Sequence, residues 1–109
     1  MLVTFVTLIP QARNDGSPVT AAEQEQILGQ LLGIAGRLTI EGTVEGIWHD
    51  EQSGKTYRDR SCKVILGCPW QRAAELEALV ADIGRQLGQK EMYLEIRGGS
   101  VINTIPCER

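Results

Sequence analysis

The sequence predicts one α+β domain of ferredoxin-like βαββαβ order, a four-stranded antiparallel sheet with two helices on one face. Three observations predict it. Two stretches carry apolar residues at helical spacing: Ile27, Leu28, Leu31, Leu32 and Ala35, then Leu76, Leu79, Val80, Ile83 and Leu87. Each lies between two segments of strand character, and the two inner strands flank a polar tip at residues 49–55. With right-handed crossovers that order gives the split βαβ arrangement. At 109 residues the chain is one domain, 1–109, long enough for a single core without metal or disulfide support.

Residues 2–9 mix β-branched, aromatic and Thr residues and stop at Pro10, as a central strand does. Asp15 and Gly16 mark a turn in the loop that follows. Thr20 and Glu23 form a capping box that opens the first helix, and Gly36 suits its C-terminus. Leu38, Ile40, Val44 and Trp48 alternate with Thr39, Glu41, Thr43, Glu45 and Ile47, which predicts a strand with one face buried and Trp48 in the packing. After the tip, Cys62, Val64, Leu66 and Cys68 fall on one face and Ser61, Lys63 and Ile65 on the other. Pro69 is read as the first residue of the second helix. Met92, Leu94 and Ile96 alternate in the fourth strand, and residues 101–105 form a short fifth strand or an ordered tail.

Chain direction brings three loops to one end of the sheet: residues 11–19, 48–59 and 88–91. The chemistry gathers there. Arg13, Asn14, Asp15, His49, Arg58 and Lys90 are candidates for holding a small anionic ligand, since guanidinium and ammonium groups grip carboxylate or phosphate. His49, with Tyr57 or Asp59, is a candidate acid–base group because imidazole titrates near neutral pH. No nucleophile position is identifiable, so catalysis is poorly supported. Arg58 and Arg60 share a strand face, where pairing with Glu41 or Glu45 is the favoured reading. On the sheet face turned away from the helices, Phe5, Ile47, Ile65 and Tyr93 form a candidate apolar interface inside a charged rim, with the alternate set of first-strand residues as the other choice for that strand.

Several functions are disfavoured. A net charge of −3 with no basic run argues against general nucleic-acid binding, and the third strand lacks the stacking aromatics of RNA-recognition modules. His49, Asp50 and Glu51 are consecutive and no second histidine exists, so no metal site is expected; no glycine-rich phosphate loop is present and no cofactor is expected. The apolar N-terminal stretch is too short to span a bilayer and lacks a leader's features. Cys62 and Cys68 sit six apart on one strand, too far to bridge, and three cysteines fit a reducing cytoplasm.

Residues 38–48, then Gly54, residues 59–64 and residues 89–93, resemble a pattern in small uncharacterised bacterial domains. There a glycine–x–tryptophan strand precedes an acidic–x–serine strand and a helix ending near a glutamine. The resemblance covers about the last two-thirds of the chain and brings no activity. In arrangement alone the chain is similar to PII-like and CutA-like regulators, whose ligand signatures it does not match. The leading expectation is a cytoplasmic, non-catalytic binding or regulatory domain, a dimer or trimer formed through the open sheet face, that presents its loop-rich end to a protein partner or small anionic ligand. The alternatives are a small acid–base enzyme and a phage- or plasmid-type protein inhibitor.

Overall fold

The computed structural model describes residues 1–98 and 102–107. The elements are β1 (Leu2–Pro10), α1 (Ala21–Ala35), β2 (Leu38–His49), β3 (Thr56–Pro69), a 3-10 turn (Trp70–Arg72), α2 (Ala73–Gln86), β4 (Glu91–Ile96) and β5 (Ile102–Pro106). One sheet holds all five strands in the order β2-β3-β1-β4-β5, every neighbouring pair antiparallel. The first four strands and two helices are the ferredoxin-like arrangement, and β5 adds a strand beside β4. Of the tail expected at residues 101–105, residue 101 lies outside the described residues.

Local chemistry sets the helix ends. Thr20 accepts the Glu23 amide while the Glu23 carboxylate accepts from the Thr20 amide, closing the capping box. Gly36 takes φ +86°, a left-handed conformation costly for other residues, and donates its N–H to Leu32. Pro69 does not open α2. It ends β3, and the chain makes the 3-10 turn before α2 begins at Ala73.

The core lies between the helices and one sheet face. Ile27, Leu31, Leu76, Val80 and Ile83 from the helices meet Phe5, Ile9, Val64, Leu66, Met92 and Leu94 from the strands. Phe5 is 2% exposed in this core, which corrects its placement at the open interface. The alternate β1 residues face the other way. Val6, whose Cα partners are Ile65 and Glu95, is only 1% exposed although no helix covers it.

β2 departs from the expected pattern. It is one edge of the sheet, and none of its residues is buried. The register with β3 shifts between Ile40 and Gly42, where Gly42 adopts φ +110°. This bulge inserts one residue and reverses the side-chain phase beyond it. Leu38 and Ile40 therefore sit opposite the core residues Leu66 and Val64, while Val44 and Trp48 sit opposite Ser61 and Tyr57 on the other face. Trp48 is 50% exposed and belongs to no core.

Glycine positions separate space from propensity. A Cβ on Gly84 would lie 2.2 Å from Cys107 Sγ and 2.7 Å from Met92 Cγ, whereas one on Gly29 meets nothing within 4 Å. Gly84→Ala is expected to destabilise by about 1–3 kcal/mol through overpacking. Gly29→Ala is expected to stabilise by about 0.5–1 kcal/mol through helix propensity. Urea denaturation of the two variants checks the opposite signs.

Candidate functional site

β1 runs alongside β3 only as far as the pair Pro10 and Ser61, so residues 56–59 pair with β2 alone and form a two-stranded arm. The arm closes at residues 50–55, where Asp50 and Lys55 share a backbone hydrogen bond of 2.8 Å and Gly54 donates to Asp50 at 2.8 Å. Asp50 also accepts from Ser53 Oγ and the Gln52 amide, at 2.8 and 3.0 Å. The Ser53 bond and then the Gln52 bond hold the Asp50 carboxyl below its ordinary value of 3.8, with a weaker contribution from the Lys90 ammonium.

The two faces of the arm carry different chemistry. On one, Trp48 stacks on Tyr57 with ring centroids 4.6 Å apart and planes at 20°. Trp48 Nε1 donates to Asp59 Oδ2 at 2.8 Å. Strand alternation puts this cluster on the same side as Ser61, Lys63 and Ile65, the open side of the sheet. On the other face, Arg58 pairs with Glu45 at 2.6 Å, His49 Nδ1 lies 3.3 Å from Thr56 Oγ1, and Ile47 is 58% exposed. The acid–base grouping of His49 with Tyr57 or Asp59 is thus not assembled, and Ile47 does not share a face with Ile65. Arg58 is engaged by Glu45 rather than turned to a ligand.

The second polar locus lies between the β1–α1 loop and the end of α2. It is an open groove of about 370 Å³ whose walls include Arg13, Asn14, Asp15, Arg85 and Leu87. Asn14 sits beside Gly88, 3.8 Å from where a Cβ there would be. Arg13 is already committed to the Glu23 carboxylate and, at 2.9 Å, to the Pro18 carbonyl. Arg85 pairs with Asp82 and donates to the Cys107 carbonyl at 3.2 Å. Asp15 accepts from both the hydroxyl and the amide of Ser17, which lowers its carboxyl below 3.8. The loops do converge: Asn14 lies beside Gly88, and the Lys90 ammonium acts on Asp50 of the hairpin tip. The guanidiniums they bring, however, are largely neutralised by neighbouring carboxylates.

The third locus is the open sheet face. Leu8, Ile65 and Tyr93 are half-buried around Val6. Lys63 pairs with Glu41 at 3.0 Å, Arg97 with Glu95 at 3.6 Å, and Tyr93 donates its hydroxyl to Glu95 at 2.8 Å. Burial and the Glu95 contacts push the Tyr93 phenol up from its usual value. Sequence periodicity placed Trp48 in the packing, where the structure exposes it, and Val6 and Leu8 belong to the alternate first-strand set that it left as the second choice for this face. Among the described residues no group of three or more His, Cys, Asp or Glu is placed to hold a metal ion, and no described helix is long and apolar enough to cross a membrane.

No protein-family model matches the chain, and no curated protein matches it in sequence. Solved structures do share its fold. A phage SAM lyase in complex with S-methyl-5'-thioadenosine is similar with a TM-score of 0.71 at 13% identity, over 96% of this chain and 89% of that one. The same kind of lyase in its apo state gives 0.65 at 14% identity, over 98% and 90%. The periplasmic divalent cation tolerance protein CutA from Archaeoglobus fulgidus gives 0.57 at 18% identity, over 100% and 86%. At these identities the likeness establishes the ferredoxin-like fold, in keeping with the CutA-like arrangement expected from the sequence.

The two Asp turns carry a pH signature. Each carboxyl is expected to titrate with a midpoint below 3.8 in the folded protein. The stabilisation from each turn is complete above the unfolded value and is lost as pH falls through the lower folded one. Side-chain carboxyl NMR titration reads this directly; midpoints at or above 3.8 would contradict it.

Proposed function

We propose that this chain is a non-catalytic binding domain that self-associates through its open sheet face and presents its hairpin end to a small ligand or protein partner. The open face carries the proposal. Leu8, Ile65 and Tyr93 are half-buried on a side that no helix covers, and they surround Val6, which the chain itself already buries. The surrounding charges are Lys63 with Glu41 and Arg97 with Glu95. A rim of two cations and two anions is locally neutral although the chain carries −3 overall. A second copy turned about a two-fold axis can set each cation against the partner's anions, the self-complementarity an isologous contact requires. A reducing, cytoplasmic setting in a bacterium belongs to the same reading, supported by Cys62 and Cys68, which are buried and unbridged, and by desolvation that raises the Cys62 thiol above its usual range.

A second reading is an enzyme acting on a nucleoside sulfonium. What favours it is the fold neighbour that is named a SAM lyase and holds S-methyl-5'-thioadenosine. Of the acid–base candidates, Tyr57 and Asp59 share one face of the arm and suit this reading better than His49 or Arg58.

Light scattering is expected to give a mass of at least two chains for the native protein. Ile65→Glu, which places a charge beside Val6, is expected to give a folded monomer. A native protein that stays monomeric at high concentration overturns the proposal. For the second reading, incubation with SAM is expected to release S-methyl-5'-thioadenosine, followed by chromatography; no release above the buffer rate removes it.

A further inference from the structure

We propose that the Trp48–Tyr57 stack, edged by Asp59, is a seat for an aminopurine nucleoside. The inference rests on the reading of the hairpin end as the ligand-presenting end, and it names the ligand class. Trp48 is 50% exposed and Tyr57 38%, so the stack turns a broad aromatic surface to solvent. Its geometry is fixed in advance. The indole is held from one side by the tyrosine ring at 4.6 Å and at its edge by the 2.8 Å bond to Asp59 Oδ2. A flat ligand therefore meets a surface that loses little freedom on binding. Any nucleobase has a π face for such a surface, and a bicyclic purine covers an indole best.

Asp59 supplies the selectivity. Its Oδ2 accepts the indole N–H, and the carboxylate keeps further lone pairs with which to accept a donor on the ligand. An exocyclic amine meets that need; a carbonyl in its place sets oxygen against oxygen there and leaves only the adjacent ring N1–H to donate. The same carboxylate repels phosphate; the two adjacent cations, Arg58 and Arg60, lie on the opposite face, and Lys63 on the same face is paired with Glu41. The seat therefore favours a nucleoside over a nucleotide, which departs from the anionic ligand expected from the loop composition.

The test uses Trp70→Phe as background, which leaves Trp48 as the one tryptophan and changes a half-exposed residue on a 3-10 turn. Adenosine is expected to quench Trp48 fluorescence saturably. Inosine, with a carbonyl in place of the amine, is expected to bind about tenfold more weakly, the upper scale of one lost hydrogen bond. AMP is expected to bind more weakly than adenosine. Asp59→Asn is expected to abolish the preference for adenosine over inosine, while the near-ultraviolet signal of the stacked rings reports that the arm is intact. No saturable quench with an intact stack signal, or equal quenching by adenosine and inosine, overturns the inference. Light scattering on the same background reads self-association separately, so a dimer that binds no nucleoside sinks this inference alone, and a monomer that binds one sinks only the assembly.

Discussion

A mismatch of strand lengths governs this molecule. β3 has fourteen residues and β2 twelve, while β1 at the centre of the sheet has nine. The register of β1 ends at Ser61, so the outer part of the β2–β3 ladder projects without sheet or helix beneath it. A two-stranded ribbon is marginal in water, and this one is held by its own side chains. Arg58 with Glu45 is a surface pair of the kind that contributes about 0–1 kcal/mol. The stacked aromatic pair contributes about 0.5–1.5 kcal/mol beyond its burial. The aromatic face is the stronger fastening, and it faces the open side of the sheet.

What the sequence made legible follows from how local the physics is. The capping box at Thr20 and Glu23, the glycine at 36 and the two helical stripes depend on residues within a few positions of one another, and they stand in the structure where periodicity places them, except that Leu32 at the stripe's margin is 47% exposed. The element order then suffices for the ferredoxin-like sheet, because connection handedness leaves few alternatives. β1 was ambiguous for a physical reason. Phe5 and Val6 are both almost fully buried, one under the helices and one on the open face, so alternation of burial does not tell the faces apart. β2 misled for another. One inserted residue at the Gly42 bulge reverses the phase, and Trp48, in step with Leu38 and Ile40 by count, ends on the opposite side from them.

The same limit applies to the functional end. Topology brings residues 11–19, 48–59 and 88–91 to one rim, but a period of two sorts neighbours onto opposite faces once the register is known. His49 and Arg58 fall on one side of the arm, Tyr57 and Asp59 on the other. Loop composition also overstates the free positive charge. Arg13 and Arg58 look available in sequence, yet the capping carboxylate of Glu23 and the cross-strand Glu45 each claim one of them. A candidate list drawn from loops collects the right residues without their partners, and the partners decide what a ligand would meet.

The arm and the sheet face are linked by geometry. Trp48, Tyr57 and Asp59 stand on the side of the ladder that also carries Lys63 and Ile65, so a second copy seated over Val6 would rise as a wall beside the aromatic stack. An exposed stack on a bare ribbon has one covered ring face and little shelter from water. With a wall beside it, the same stack becomes the floor of a cleft, and the Asp59 hydrogen bond works where competing water is scarcer. If both proposals hold, a ligand that reaches the second copy would couple self-association to ligand capture, and that coupling would run equally in both directions.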